Sequence, residues 1–110
     1  MKKKPPPLER HEEKVFMNLV KKNNLPVKIR KMNGLGFASW PDRLIIGPHK
    51  FTCWIEFKRK EIGKLSPGQV TLFNEMGGMG HVVHVLDDGK LAYDVLVQRM
   101  EQHLHAIYTA

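Results

Sequence analysis

Apolar positions Leu8, Val15, Phe16, Leu19 and Val20 recur at helical spacing and Pro26 closes the run, so the pattern predicts a first helix over residues 8–23. Residues 27–32 alternate Val27, Ile29 and Lys31 against Lys28, Arg30 and Met32, the pattern of a half-exposed strand. Two β-rich runs, 42–46 and 51–58, flank Gly47-Pro48-His49-Lys50, a turn composition that predicts an antiparallel hairpin. Ser66-Pro67-Gly68-Gln69 combines Ser at N-cap, Pro at N1 and Gln at N3, so a second helix starts there and runs to about residue 76, where the Gly77-Gly78-Met79-Gly80 stretch ends it. A Val-rich stretch at 81–86 is short enough for a buried strand, and Asp87-Asp88-Gly89 turns the chain into a last helix over about 91–107. The order αβββαβα with a hairpin inside predicts a mixed α+β (α/β) fold, a mixed central sheet flanked by helices with a C-terminal helix.

Length and charge narrow the partners. At 110 residues the chain fits one domain, expected over 8–110 after a flexible, basic and proline-rich arm at 1–7. A homodimer would add buried area to so short a chain. The net charge of +7 points to a polyanion. Nucleic acid is favoured over membrane, because no apolar run approaches the roughly 20 residues of a spanning helix. Three prolines stand where a signal peptide would need apolar residues, and Cys53 is alone, so a reducing cytoplasm is the expected setting and a buried strand residue the expected role of Cys53.

The hairpin carries the candidate chemistry. A turn centred between Pro48 and His49 puts Asp42 across from Ile55 and next to Glu56. Strand alternation sends Glu56 and Lys58 to one face and Ile55 and Phe57 to the other. Two adjacent carboxylates stay ionised together when a cation lies between them, and a site of hard oxygen ligands without thiolate or histidine fits Mg²⁺. Asp42 and Glu56 are thus candidate Mg²⁺ ligands, and Lys58 is a candidate partner for water and phosphate in phosphodiester hydrolysis. The bland alternative is a surface ion pair on an ordinary hairpin, worth roughly 0–1 kcal/mol. Five apolar neighbours, Ile55, Phe57, Leu44, Ile45 and Ile46, argue for central strands, where acids need partners. Glu12 falls near the middle of the first helix's apolar stripe and Glu13 toward its edge, so Glu12 is the better candidate for an added site acid. Alternatively the stripe ends before the first turn, where acids suit the helix dipole.

Pro41-Asp42 followed by Glu56-Phe57-Lys58 resembles the PD-(D/E)xK nuclease signature. The wider pattern, WPDRLIIG, then WIEFKRKEIGKLSPGQ, then a helix and a Val-rich strand, resembles the VRR-NUC (virus-type replication-repair nuclease) branch over nearly the whole chain. The resemblance implies a restriction-endonuclease-like αβββαβ core and dependence on Mg²⁺, with Mn²⁺ able to substitute. It also implies, as in small phage and bacterial members, a homodimer acting on branched DNA such as Holliday junctions in replication, recombination or repair. It carries the metal-binding Asp onto Asp42, Glu-x-Lys onto Glu56 and Lys58, the helix-opening Gln onto Gln69, and the first-helix acid onto Glu12 or Glu13. Glu12 would reach the metal directly or through a water, and the backbone carbonyl of Phe57 would be a further ligand. Gln69 has a second reading as the capping-box residue alone. One departure is Ser39, where the family usually has Gly.

Arg43, Arg59 and Lys60 lie within a few residues of the expected ligands and are the expected DNA contacts, with Lys31 added from the first strand. Lys28, Arg30 and Lys64 also flank the site in sequence. The six histidines have no chelating spacing: His81 and His84 differ in strand parity, and His103 and His105 do not share a helix face. A metal-dependent endodeoxyribonuclease is therefore the leading expectation. A non-catalytic nucleic-acid-binding module is the alternative, and a small interaction protein of a phage replication machine is a third class.

Overall fold

A computed structural model describes residues 9–32, 38–58 and 64–109. The expected arm at 1–7 and the expected DNA contacts Arg59 and Lys60 lie outside the described residues, as do residues 33–37 of the loop after the first strand. The elements are α1 (Glu9–Lys22), β1 (Lys28–Lys31), β2 (Arg43–Ile46), β3 (Thr52–Phe57), α2 (Pro67–Gly78), β4 (Val83–Leu86) and α3 (Gly89–Thr109). This is the order and mixed α+β class expected from the sequence, with the C-terminal helix in place. Ordering of the sheet is β1-β2-β3-β4, antiparallel from β1 to β3 and parallel between β3 and β4. The α2 segment supplies the crossover that a parallel pair needs. None of the described helices is long and apolar enough to cross a membrane.

Odd-numbered residues of β2 and β3 build the core. Ile45, Cys53, Ile55 and Phe57 are buried with Phe16 and Val20 of α1 and Ala92 and Leu96 of α3. The Phe16 and Phe57 rings meet at 5.7 Å between centroids. Each fully buried aromatic of this kind stabilises the fold by about 1.5–3 kcal/mol. Burial also pushes the Cys53 thiol up to about 11, against a smaller opposing effect of Arg99, so the lone cysteine sits in the core as a neutral group.

The hairpin register differs by one from the expected pairing. Arg43 is opposite Ile55 and Ile45 opposite Cys53. Three residues, Pro48, His49 and Lys50, form the loop: the Gly47 amide donates to the Phe51 carbonyl at 3.0 Å, and His49 and Lys50 take left-handed φ values of 58° and 65°. The turn is therefore centred on His49 rather than before it, and Asp42 falls opposite Glu56 itself. Helix α2 ends within the expected Gly77-Gly78-Met79-Gly80 stretch: it runs through Gly78 to a cap at Met79, and Gly80 supplies the positive φ of 87°.

Candidate active site

Asp42 sits just before β2 and Glu56 near the end of β3, so the corrected register aims both side chains to the even-numbered face of the sheet. Their contacts interlock. The backbone amide of Asp42 donates to Glu56 Oε1 at 3.0 Å, and the backbone amide of Phe57 donates to Asp42 Oδ2 at 3.1 Å. On the other oxygen of Glu56, Oε2, Lys58 Nζ stands at 3.2 Å and Gln69 Nε2 donates at 3.3 Å. Glu56 is 1 % exposed. Desolvation, followed by repulsion from Asp42, raises its pKa above the ordinary 4.5, while the Lys58 ammonium and the Asp42 amide pull the other way.

Gln69 reaches this pair because of how α2 begins. Ser66 Oγ accepts from the Gln69 amide at 3.1 Å and Gln69 Oε1 accepts from the Ser66 amide at 3.0 Å, a complete capping box. That bond fixes the amide carbonyl and leaves Nε2 to face Glu56. The two readings of Gln69 are thus compatible: one side chain caps the helix and holds the carboxylate.

Phe57 has its carbonyl in the same peptide unit as the Lys58 amide, which donates to the Leu86 carbonyl of β4 at 2.9 Å. In a trans peptide the two groups point oppositely, so the Phe57 carbonyl is directed away from β4, toward the Asp42 side. Two carboxylates and a carbonyl on the same side make an oxygen donor set suited to a hard divalent cation. Mg²⁺ is commonly held by only one or two carboxylates with water and phosphate completing its shell. Among the described residues no third acidic, histidine or cysteine side chain joins the pair in a metal-holding cluster.

Two expectations need correction. Glu12 is not brought to Asp42 and Glu56; its Oε1 accepts from the backbone amide of Gly89 at 2.9 Å, where α3 begins. Helix α1 packs on the odd-numbered face, with Phe16 against Phe57, so its stripe centre meets α3 and the core rather than the acids. Glu13, the alternative, pairs with Arg43 Nη2 at 2.8 Å. Arg43 in turn is not an exposed phosphate contact. Its position next to Asp42 in sequence gives it opposite strand parity, it is 7 % exposed, and its guanidinium points to α1. Lys31, opposite Arg43, shares that parity and is exposed. Strand alternation by itself sends Asp42 and Arg43 to opposite faces, so this placement of Arg43 is readable from the sequence.

No family model matches the sequence, and no curated protein does. A solved structure described as a VRR_NUC domain superposes with a TM-score of 0.66 at 26% identity, covering 82% of this chain and 94% of that one. In fold, and in the Pro41-Asp42 and Glu56-Phe57-Lys58 motif, the chain is thus similar to a VRR_NUC domain.

Proposed function

We propose that this protein is a metal-dependent DNA nuclease that hydrolyses phosphodiester bonds at Asp42, Glu56 and Lys58. The observation that carries the reading is the placement of Asp42 and Glu56 opposite one another on adjacent strands, with Lys58 and Gln69 both on Glu56 Oε2. A buried acid such as Glu56, held against a second, half-buried carboxylate, costs stability unless a cation compensates it, which supports a ligand role over a surface ion pair. Asp42, Glu56 and the Phe57 carbonyl would hold a Mg²⁺ ion, with Mn²⁺ as a substitute. Such an ion supplies a more acidic water and neutralises charge on the phosphate.

The chain's own residues then have separate tasks. Glu56 and Asp42 fix one another through backbone amides, so their oxygens keep a set position as substrate enters. Lys58, one-fifth exposed at its side chain, presents its ammonium from the sheet face to orient the attacking water and to offset negative charge gathering on the phosphate oxygens. Gln69 restrains Glu56 from behind.

Incubation of the purified protein with DNA and millimolar Mg²⁺ tests the reading. Cleavage is expected, and Glu56→Ala or Lys58→Ala should abolish it while DNA binding persists. Cleavage unchanged in both variants overturns the site, and salt-sensitive binding without any cleavage leaves the non-catalytic binding module. We further propose, on the family resemblance, that branched duplexes such as Holliday junctions are cut by a homodimer, in phage or bacterial DNA metabolism. Paired symmetric incisions that disappear on dilution to monomer are the expected result.

A further inference from the structure

Odd-numbered residues of the sheet pack with α1 and α3, and the opposite, even-numbered face of β1 and β2 is partly open. Ile46 is 46 % exposed there. On β1, Lys28 is opposite Ile46 and Arg30 opposite Leu44, so both cations share this open face, whereas Lys31 is opposite Arg43 and shares the other. The Met32 amide donates to the Asp42 carbonyl at 2.7 Å, which continues the register until Met32 faces Asp42. Arg30 is consequently the diagonal neighbour of Asp42, roughly 7–8 Å away between Cα atoms. Lys28 follows at about 7 Å further along the same face, an interval that neighbouring phosphates of one strand can match.

We propose that Lys28 and Arg30, on the open face of β1 and β2, form a phosphate track that leads the nucleic-acid backbone to Asp42 and Glu56. This rests on the nuclease reading for the identity of the polyanion. Both cations are exposed, as is Lys31. Edge strands often carry lysine simply to discourage pairing with another chain, and that explanation treats Lys28, Arg30 and Lys31 alike. A track does not, because it uses one face. Alternation on a single short strand thus provides its own control, with cations of similar exposure pointing in opposite directions.

The test measures binding of the full-length chain to a labelled DNA duplex without divalent ion, as a function of salt. Lys28→Gln with Arg30→Gln is expected to weaken binding by about tenfold or more and to flatten the plot of log affinity against log salt by about 2, one for each phosphate no longer neutralised. Lys31→Gln should leave affinity within about twofold and the slope unchanged. Each single variant on the open face should show about half the slope change, with melting temperature and oligomeric state unaltered. Equal losses for Lys31→Gln and the open-face variants, or native affinity in the double variant, overturn the track. Cleavage of DNA by the native chain is scored separately with Mg²⁺. The nuclease reading fails if cleavage is absent, and the track fails if the face dependence is absent.

Discussion

The backbone amide of Asp42 donates to the carboxylate of Glu56, and the amide following Glu56 donates back to the carboxylate of Asp42. Each acid is held by the other's strand, so the pair cannot separate to relieve its repulsion without breaking the end of the hairpin. The cost appears as a raised pKa at Glu56, caused first by desolvation and then by Asp42.

Stability should therefore depend on pH in a particular direction. Folded Glu56 holds its proton more tightly than the unfolded chain does, so its contribution to stability is full below the ordinary 4.5 and is lost as pH rises through the raised folded value. Melting temperature measured without divalent ion should show a step downward across that window, and millimolar Mg²⁺ should recover the loss above it. Glu56→Gln exchanges hydrogen bonds and so shifts the whole curve by a constant amount. It should nevertheless lack both the step and the Mg²⁺ recovery. A step that persists in the variant would assign the titration to another group.

Gln69 serves two structures at once, and two substitutions separate them. Ser66→Ala removes the hydroxyl that caps α2 and should cost about 0.5–2 kcal/mol in denaturant unfolding while leaving cleavage intact. Gln69→Ala removes the hydrogen bond to Glu56 as well and should lower cleavage on the order of 10–100-fold at a similar stability cost. Equal activity in both variants would reduce Gln69 to a cap.

Much of this arrangement is legible in the sequence. Alternation places Glu56 and Lys58 on one face, and turn composition places Asp42 beside them, because strand parity is a local property. The exact pairing is not legible, since a three-residue loop with His49 and Lys50 both at positive φ gives no Gly or Asn signal. The partners of α1's acids are not legible either. Helical periodicity identifies a buried face but not what covers it, and Glu12 meets Gly89, a residue 77 positions away.

That hydrogen bond gives a test of the corrected role of Glu12. Its carboxylate accepts from the amide at the start of α3, so Glu12→Ala should cost about 1 kcal/mol, the usual value of a helix cap. Cleavage and the Mg²⁺ concentration for half-maximal rate should stay at native values, and a large rise in that concentration would restore Glu12 as a ligand. Gly89 itself lies where a Cβ would collide with the Glu12 carbonyl oxygen and approach Val15 Cβ to 2.8 Å. Gly89→Ala should thus force α1 and α3 apart and cost about 1–3 kcal/mol or more.

Arg43 and Glu13 form the remaining charged pair under the sheet, with side chains 9 % and 13 % exposed. Charges so removed from water are expensive singly, and the pair repays little beyond its own desolvation. Arg43→Met removes the guanidinium from the Glu13 carboxylate and should cost up to about 3–5 kcal/mol in denaturant unfolding. Adding Glu13→Leu to that variant should recover most of the loss, because an apolar pair of similar volume needs no compensation. The recovered double variant also separates structure from substrate binding. It removes a positive charge one residue from Asp42, yet its affinity for DNA should fall with salt as steeply as that of the native chain. A flatter salt dependence would mean that Arg43 leaves Glu13 to meet a phosphate when DNA binds.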